Sequence, residues 1–392
     1  MVQIKKRNLI IVVVVAALLG GGLTFAGMTW LPDSVRISKA DYGDYQTMVK
    51  RYGKVEALYE TLNKYYYQDL DQDKLVQGML YGLFEGTGDP YTNYMSKEEY
   101  DNLMIKTTGQ LEGIGVTVGA NSDGYIVVVS TIKDSPAERA GLQSGDLITK
   151  VDGTAYKGSQ LDTAVANMRG EAGSKVQVTY VRNGKSLSAD LTRASIKLES
   201  VYAETLDSGL GYIYISNFET NTPEEFEKEL RNFEVKGVKG LIIDLRDNGG
   251  GVVESGIKVA DYLLDEGVLA YMEGKAQERT DMKTTEGKTA LPYVLLINGG
   301  TASTSEILAA GIKDNKGGAI VGTTSFGKGV IQSMLPLKGG DAVKITIAQY
   351  FSPKGTVIQG VGVEPDYVVE LPEGSKTDIQ LNKAVELLTK GL

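Results

Sequence analysis

Two short segments of the chain carry hydroxyl and amine groups that could perform acyl transfer. The first, NGGTASTSEILAAG (residues 298–311), places Ser303 just before a segment with helical periodicity. The second, TTSFGKGVIQSM, holds Lys328 between two glycines. The chain has no histidine and no cysteine, so neither imidazole nor thiol can serve as base or nucleophile. An activated serine in this protein therefore needs another kind of base, and a lysine amine is the candidate.

The position of Ser303 suits a nucleophile, but it also suits a helix cap. A helix that begins near Thr304 leaves unpaired N–H groups in its first turn, and these groups stabilise an alkoxide or an oxyanion. Ser303 followed by Glu306 three residues later is also the pattern of a capping box, in which the serine only begins the helix. This segment alone leaves both roles open.

Lys328 could act as the base if it is buried without its proton. Its neighbours Phe326, Val330 and Ile331 are apolar, and burial lowers the pKa of a lysine below its reference value of about 10.4. A pKa around 7 or 8 requires a shift that costs about 4 kcal/mol, which desolvation beside a helix N-terminus can supply. If the segment is extended, Gln332 projects from the same face as Lys328 and could orient the amine. A solvated lysine in a turn is the alternative.

A third segment, LIIDLRDNGGG (residues 241–251), joins an apolar strand to a charged turn and three glycines. Such a turn offers N–H groups that could point at a substrate carbonyl and form an oxyanion hole. A plain strand-to-helix connection is the alternative. Asp244 and Arg246 are expected to form a structural ion pair rather than to act as acid and base.

A separate segment indicates peptide binding. In LEGIGVTVG, two glycines precede a strand, so that successive N–H groups can converge on an anion such as a terminal carboxylate. On the helix SQLDTAVANMRG, Leu161, Val165 and Met168 share one face, which predicts a groove for an extended peptide beside the strand. Together with SPAERAGLQSGDLITKVDG, the arrangement resembles a PDZ domain. The residues expected to hold the carboxylate are Gly113, Ile114, Gly115 and Val116.

Composition places the bulk of the chain among soluble globular proteins. Its 392 residues are enough for roughly two or three domains. The hydrophobic and charged fractions, 42% and 23%, are ordinary for such proteins. A net charge of -9 argues against a nucleic-acid partner, because that binding depends on clustered Lys and Arg. We expect neither a metal nor a cofactor, since the commonest metal ligands are missing.

The N-terminus predicts a membrane anchor. Residues 8–32 contain no charge, and about 20 apolar residues cross a bilayer core as a helix. The basic triplet KKR precedes this segment, which places the first residue in the cytoplasm and the chain beyond Pro32 outside it. A cleaved signal peptide is the alternative, although its apolar region usually runs only about 7 to 15 residues.

Beyond this segment, hydrophobic periodicity divides the chain into three parts. Residues 41–104 have helical periodicity, and their many tyrosines predict either ordinary helix packing or a surface for a homodimer. Residues 109–194 alternate short strands and turns, including the hairpin signal Asn183-Gly184. From residue 201 onward strands and helices alternate, which predicts an α/β layered domain with its chemistry in loops at strand ends.

The motifs DLRDNGGG, GTASTSEILAAGIKDN, VGTTSFGKGVIQ and GVGVEPDYVVE follow one another along the chain, and GDPYTNYMSKEEYDNL precedes the PDZ-like part. In order and spacing they resemble the carboxyl-terminal processing peptidases, tail-specific serine proteases with a Ser-Lys arrangement. The resemblance covers essentially the whole chain after the predicted anchor. The absence of histidine fits this family and excludes the PDZ-bearing exported proteases that use a Ser-His-Asp triad.

The resemblance implies roles for particular residues. The family's nucleophile falls on Ser303, its general base on Lys328 and its glutamine on Gln332. Its oxyanion hole falls on the N–H groups of Gly250 and Thr304. These five positions are therefore expected to form the active site.

The resemblance implies less about the roles of the other positions. Ser305 is the nearest competitor for the nucleophile, but its hydroxyl is expected to face the preceding helical turn. Arg169 matches an arginine that senses bound substrate in some members, and Asp314 matches an aspartate that is expected to be structural here. The family often has proline where this chain has Gly249, and alanine where it has Thr304, which predicts a looser oxyanion turn.

The resemblance also implies a fold and an activity. The expected fold is an α/β protease core of the crotonase/Clp-like type with an inserted β-rich PDZ domain and an N-terminal helical region. The expected activity is that of a single-pass, membrane-anchored extracytoplasmic serine endopeptidase that captures proteins by free, apolar C-termini. A catalytically silent PDZ adaptor and an acyl-thioester enzyme on the same superfold are the alternatives. The expected boundaries are 1–32 for the cytoplasmic tip and anchor, 33–105 for the helical region, 106–195 for the PDZ domain and 196–392 for the protease core with the C-terminal segment.

Overall fold

A computed structural model of the protein describes residues 10–11, 13–18, 38–372 and 374–391. Most of the predicted anchor therefore lies outside the described residues. Within the described part of the chain, no helix is both long enough and apolar enough to cross a bilayer. The chain divides into two compact units, Met1–Val76 and Gln77–Leu392.

The first unit contains one long helix, α1 (Lys39–Tyr65), which begins at a capping box. Asp41 N donates to Ser38 Oγ at 3.1 Å, and Ser38 N donates to the Asp41 carboxylate at 3.3 Å. No residue of α1 is buried. Its exposed apolar side chains recur at steps of three and four residues and include Tyr45, Met48, Tyr52, Val55 and Leu62. The predicted helix is confirmed, and these tyrosines are exposed rather than packed in a core.

Two further helices, α2 (Gln72–Glu85) and α3 (Lys97–Thr108), flank the short strand β1 (Asn93–Met95). Ser96 caps α3, because its hydroxyl accepts from Glu99 N at 3.3 Å. Gly109 ends α3 with a φ of 65°, a conformation that glycine adopts without strain. At this point the chain passes from the helical region into the β-rich module.

The β-rich module is an antiparallel sheet in the order β3-β4-β5-β7-β8, covered by a short helix α4 and a longer helix α5. Its elements are β2 (Gln110–Gly113), β3 (Val116–Ala120), β4 (Ile126–Thr131), α4 (Pro136–Arg139), β5 (Leu147–Val151), β6 (Thr154–Ala155), α5 (Leu161–Met168), β7 (Lys175–Arg182), β8 (Lys185–Thr192) and β9 (Ala194–Lys197). The predicted hairpin joins β7 to β8, with positive φ at both Asn183 and Gly184. Strands β2 and β9 pair with each other where the chain enters and leaves the module.

The α/β core that follows has a six-stranded sheet in the order β10-β11-β12-β15-β16-β19, in which only the edge strand β10 is antiparallel to its neighbour. A second sheet has the order β1-β18-β13-β14, with β17 also paired to β18. The strands are β10 (Val201–Thr205), β11 (Gly211–Ile215), β12 (Leu241–Asp244), β13 (Gly267–Gly274), β14 (Arg279–Thr284), β15 (Tyr293–Ile297), β16 (Ala319–Gly322), β17 (Val330–Pro336), β18 (Ala342–Phe351) and β19 (Tyr367–Val368). The helices are α6 (Thr222–Lys236), α7 (Val253–Asp261), α8 (Thr304–Asn315) and α9 (Ile379–Lys390).

Alternation along the central strands explains the layers of this core. Successive strand residues point to opposite faces, so Ile243 and Leu295 pack into the larger core cluster with residues of α6, α7 and α8. Their neighbours Ile242 and Val294 pack on the other face with α9. Strands buried on both faces are typical of parallel sheets. The expected fold class is confirmed: an α/β core, an inserted β-rich module and an N-terminal helical region.

Candidate active site

The loop between β15 and α8 presents Ser303 at a sharp turn. Ser303 is the residue before α8, and its backbone has a φ of 58° and a ψ of -118°. Residues other than glycine rarely adopt positive φ, and such strain is concentrated at functional sites. The turn therefore places the hydroxyl at the N-terminus of a buried helix, where the helix dipole favours negative charge.

Glu306, in the first turn of α8, binds the backbone of Ser303. Its carboxylate accepts from Ser303 N at 2.8 Å, while Glu306 N donates to the carbonyl oxygen of Ser303 at 2.8 Å. The glutamate half of the predicted capping box is therefore present. The side chain of Glu306 is fully buried, so its hydrogen bonds lie in a medium of low dielectric constant, where they are strong.

The same carboxylate also binds the loop that carries Lys328. It accepts from Gly327 N at 2.7 Å, from Lys328 N at 2.9 Å and from Ser325 Oγ at 2.6 Å. One buried side chain thus joins the turn at Ser303 to the loop at Lys328, although 25 residues separate the two in sequence. The structure thus brings the backbones of these two predicted site residues together.

The environment of Lys328 favours loss of its proton. Burial lowers the pKa of the Lys328 amine, and the charge of Lys344 on β18 lowers it further, whereas Glu306 and Asp89 act in the opposite direction. The amine nitrogen lies 5.0 Å from the centre of the Tyr91 ring. Lys328 is only partly buried, so the surrounding charges and its limited access to water together set its protonation.

Gln332 lies on β17, whereas Lys328 lies in the loop that precedes this strand. Strand β17 begins only at Val330, and its pairing with β18 shifts register between Ile331 and Gln332. The register skips Ile347, so the extra residue belongs to β18 and the alternation of side chains along β17 continues. Because Lys328 precedes the strand, a common face for Lys328 and Gln332 stays a prediction. Gln332 Nε2 lies 3.4 Å from Thr346 Oγ1 on β18.

The glycine turn after β12 lies directly against the turn at Ser303. A β-carbon added to Gly250 would lie 2.8 Å from Ser303 Cβ and 2.9 Å from Thr304 N. Gly250 has a φ of 98°, which also requires glycine. Its N–H donates to Asn248 Oδ1 at 2.9 Å. In this structure the predicted oxyanion donor of Gly250 is therefore engaged by a side chain of its own turn.

Three hydrogen bonds connect this glycine turn to the start of α8. Thr304 Oγ1 donates to the carbonyl oxygen of Gly251 at 2.9 Å. Ser305 Oγ and Ala302 N both donate to the carbonyl oxygen of Asn248, at 3.1 and 3.0 Å. The threonine that stands where the family often has alanine thus adds a hydrogen bond to the glycine turn, and the looser turn expected from Gly249 stays a prediction. The prediction that the Ser305 hydroxyl faces the preceding helical turn is wrong, because this hydroxyl donates to a different segment, the glycine turn after β12.

The β-rich module places the elements predicted to bind a peptide side by side. Strand β3 is the edge of its sheet, and it lies beside α5, whose Leu161 and Val165 are only partly buried against the module's core. Gly115 has a φ of 75° in the turn before β3. At the end of α5, Arg169 lies against Gly113 and donates to Asn102 Oδ1 on α3 at 2.5 Å. The predicted substrate-sensing arginine therefore connects the carboxylate turn to the helical region.

Two predicted structural groups have structural partners. Arg246 forms a buried ion pair with Asp244 at 2.6 Å and a second with Asp378 at 2.8 Å, so the predicted pairing is confirmed. Asp314 accepts from Ser352 Oγ at 2.5 Å and from Lys354 N at 2.9 Å. Both sets of contacts hold parts of the core together.

Sequence reasoning missed several residues that surround the candidate dyad. Tyr350 OH, which has one proton to donate, lies within hydrogen-bonding distance of the carbonyl oxygens of both Ser303 and Lys328. Asp89 and Tyr91, in the segment GDPYTNYM, act on Lys328 through the charge of Asp89 and the nearby ring of Tyr91, and no pattern in this segment indicates that role. No local pattern marks Tyr350, because its position depends on how β18 pairs with β17. The asparagine of DLRDNGGG could have been considered, since an Asn before glycines commonly binds its own turn.

Comparison with known proteins agrees with this architecture. Residues 209–369 match peptidase family S41, and residues 113–192 match the PDZ domain. Residues 17–99 match the N-terminal domain of the activating protease CtpB. Among solved structures, a photosystem II D1 C-terminal processing protease is 31% identical and aligns over 85% of this chain and 90% of its own, with a TM-score of 0.49.

Two curated relatives come from Bacillus subtilis (strain 168). The carboxy-terminal processing protease CtpA is 37% identical over 329 residues, which are 83% of this chain and 70% of that protein. The carboxy-terminal processing protease CtpB is 34% identical over 365 residues, which are 90% of this chain and 76% of that protein. This chain therefore belongs to the carboxy-terminal processing proteases, PDZ-bearing serine peptidases of family S41.

Proposed function

We propose that this protein is an extracytoplasmic endopeptidase in which Ser303 is the nucleophile and Lys328 is its general base. The observation that supports this most is the buried carboxylate of Glu306, which binds the backbone N–H groups of both residues at 2.8 and 2.9 Å. Burial lowers the pKa of Lys328, which favours the uncharged amine that a general base requires. Both halves of a Ser-Lys dyad would then stand beside one helix N-terminus.

The reaction would proceed through an acyl-enzyme. Lys328 takes the proton of the Ser303 hydroxyl as the oxygen attacks the scissile carbonyl carbon, and the amine then gives that proton to the leaving nitrogen. Thr304 N and Gly250 N would stabilise the oxyanion, provided that Gly250 N turns from Asn248 Oδ1 to the substrate. Water, deprotonated by Lys328, then hydrolyses the ester. Gln332 would orient the amine during these steps.

Substrates would be selected by their C-terminal tails. The N–H groups of residues 113–116 would bind a terminal carboxylate, and the tail would extend the free edge of β3 as an added strand. The partly buried apolar face of α5 favours an apolar terminal side chain. Arg169 would respond to the bound carboxylate, because it adjoins the turn and is held by Asn102.

The N-terminal third of the chain supports a proposal for the protein's cellular location and for its assembly. The uncharged segment of residues 8–32 after KKR would anchor the protein in the cell membrane with its bulk outside the cytoplasm. The exposed apolar stripe of α1 would pair with a second copy to form a homodimer, since three-four spacing is typical of helix pairing. The domains would run over 33–105, 106–195 and 196–392 after the anchor.

A PDZ adaptor without catalysis is the second candidate, and fragment analysis separates the two. We expect the wild-type protein to convert an unstructured protein with an apolar C-terminus into new peptides detectable by mass spectrometry. Ser303→Ala should release none while keeping its fold by circular dichroism, and Ser305→Ala should keep measurable turnover. Retained cleavage by Ser303→Ala would refute the assignment of the nucleophile. Tail binding by the wild type without any fragments would favour the adaptor.

A further inference from the structure

Two buried side chains, Glu306 on α8 and Tyr350 on β18, each contact both segments of the candidate dyad. Glu306 binds Ser303 N and Lys328 N. The Tyr350 hydroxyl lies 3.0 Å from the carbonyl oxygen of Ser303 and also donates to the carbonyl oxygen of Lys328. Glu306 therefore binds the N–H groups of both residues, and their C=O groups share the single hydroxyl of Tyr350. These two side chains are here named the Glu306–Tyr350 clamp.

The two carbonyl oxygens depend on Tyr350 to different degrees. The carbonyl oxygen of Ser303 also accepts from Glu306 N and Ile307 N, so it remains satisfied without the phenol. Within the described residues, the carbonyl oxygen of Lys328 has no other donor than Tyr350. A phenol has one proton, and its most consequential bond is therefore the one to Lys328.

Accordingly, we propose that Glu306 and Tyr350 are positioning residues that fix the backbone of Lys328 relative to that of Ser303. This inference rests on the proposed dyad. Lys328 lies in an irregular loop before β17, where no regular ladder of hydrogen bonds holds it. The clamp supplies that restraint from two different elements, a helix and a strand. Proton transfer needs this restraint, because a misplacement of about 1 Å can cost roughly 100-fold in rate.

Tyr350 stays a hydrogen-bond donor, and Glu306 also affects the protonation of Lys328. Burial and then the charge of Glu306 raise the pKa of the Tyr350 phenol far above its usual range, so the phenol stays a donor at any working pH. Glu306 has a second effect, because its charge raises the pKa of the Lys328 amine against the lowering by burial and by Lys344. Asp89 acts on Lys328 in the same direction as Glu306. The carboxylate of Glu306 thus affects both the position and the protonation of Lys328.

Tyr350→Phe tests the positioning role, with Tyr293→Phe as its matched control. Both tyrosines are almost completely buried, at 0% and 1% exposure, and Tyr293 OH donates to the carbonyl oxygen of Leu263 at 3.0 Å, away from the dyad. Both variants should lose similar thermal stability. We expect Tyr350→Phe to lower kcat about tenfold or more without changing KM or the affinity for a C-terminal peptide, and Tyr293→Phe to keep the wild-type kcat.

The fall of kcat at acidic pH, here called the acidic limb of the pH profile, distinguishes a positioning role from a general loss of stability. Tyr350→Phe removes no charge, so the limb should stay in place, whereas Glu306→Gln should move it to lower pH. The same shift is measurable without turnover, by acetic anhydride labelling of Lys328 across pH in a Ser303→Ala background. Wild-type kcat in Tyr350→Phe, or an equal loss in Tyr293→Phe, would overturn the inference. An unchanged labelling profile in Glu306→Gln would also overturn it, even if the proposed protease activity itself were absent.

Discussion

Glu219, in the loop between β11 and α6, has a carboxyl group whose buried surroundings disfavour its charged form. It is only 7% exposed, and its Oε2 atom lies against Gly109 without a hydrogen-bond partner in the described structure. The Oδ1 atom of Asn221 is equally unpartnered beside the same glycine. Burial, and then the neighbouring charge of Glu225, raises the pKa of Glu219 to about 7. We predict that this carboxyl group destabilises the folded protein at alkaline pH.

The magnitude follows from the two pKa values. A rise from the ordinary 4.5 to about 7, at about 1.36 kcal/mol for each unit, corresponds to about 3 kcal/mol. This is an upper value, because Glu219 also lines an open cleft that admits solvent. Below about pH 4.5 the carboxyl group is protonated in both states and costs nothing. As pH rises toward 7, only the unfolded chain releases the proton, so the free energy of unfolding falls.

Glu219→Gln removes the charge and keeps the size of the side chain. Against the wild type, we expect it to raise the free energy of unfolding by about 2 to 3 kcal/mol at pH 8, and by nothing at about pH 4. Thermal unfolding followed by circular dichroism should show this as several degrees in Tm. Glu204→Gln, on the exposed part of β10, is the control and should change little at either pH. A Glu219→Gln protein no more stable than wild type at pH 8 would refute the reasoning.

Three further outcomes are expected. Lys328→Arg should abolish peptide release in a fragment assay, because a guanidinium does not lose its proton at working pH; turnover would contradict the dyad. Thr304→Val should lower kcat about three- to tenfold by losing its bond to the glycine turn, and Thr304→Ser should restore it; equal rates would argue against that bond. Arg246→Ala should cost about 3 to 5 kcal/mol in urea unfolding, because Asp244 is left buried and unpaired, whereas Arg279→Ala, at an exposed pair, should cost at most about 1 kcal/mol.

Local patterns predicted the elements well because those elements are locally determined. The Asn183-Gly184 hairpin, the helix start at Ser303 and the alternation of strands and helices after residue 201 all appear in the structure. Burial of the central strands on both faces also follows from their apolar sequences, since parallel strands are covered by helices on both sides.

Tertiary pairing set the limits of prediction at the site. The register shift that skips Ile347 of β18 arises from the pairing of β17 with β18 and has no sign in the sequence. The contacts of Tyr350 depend on the same register. The hydrogen bond from Gly250 N to Asn248 Oδ1 depends on the conformation of the turn, which the number of glycines in the sequence does not specify. The proximity of Ser303 and Lys328 was expected only through family resemblance, since spacing gives no distance between loops.

The most direct test of the Ser303-Lys328 dyad is intact-mass analysis of the protein after incubation with a fluorophosphonate. We expect one adduct, mapped by peptide sequencing to Ser303, whose rate of formation falls on acidification through one titration with a midpoint below the usual lysine pKa. The Ser303→Ala protein should take up none. An adduct on another residue, or a rate that does not change between about pH 5 and about pH 9, would contradict activation of this serine by an uncharged lysine.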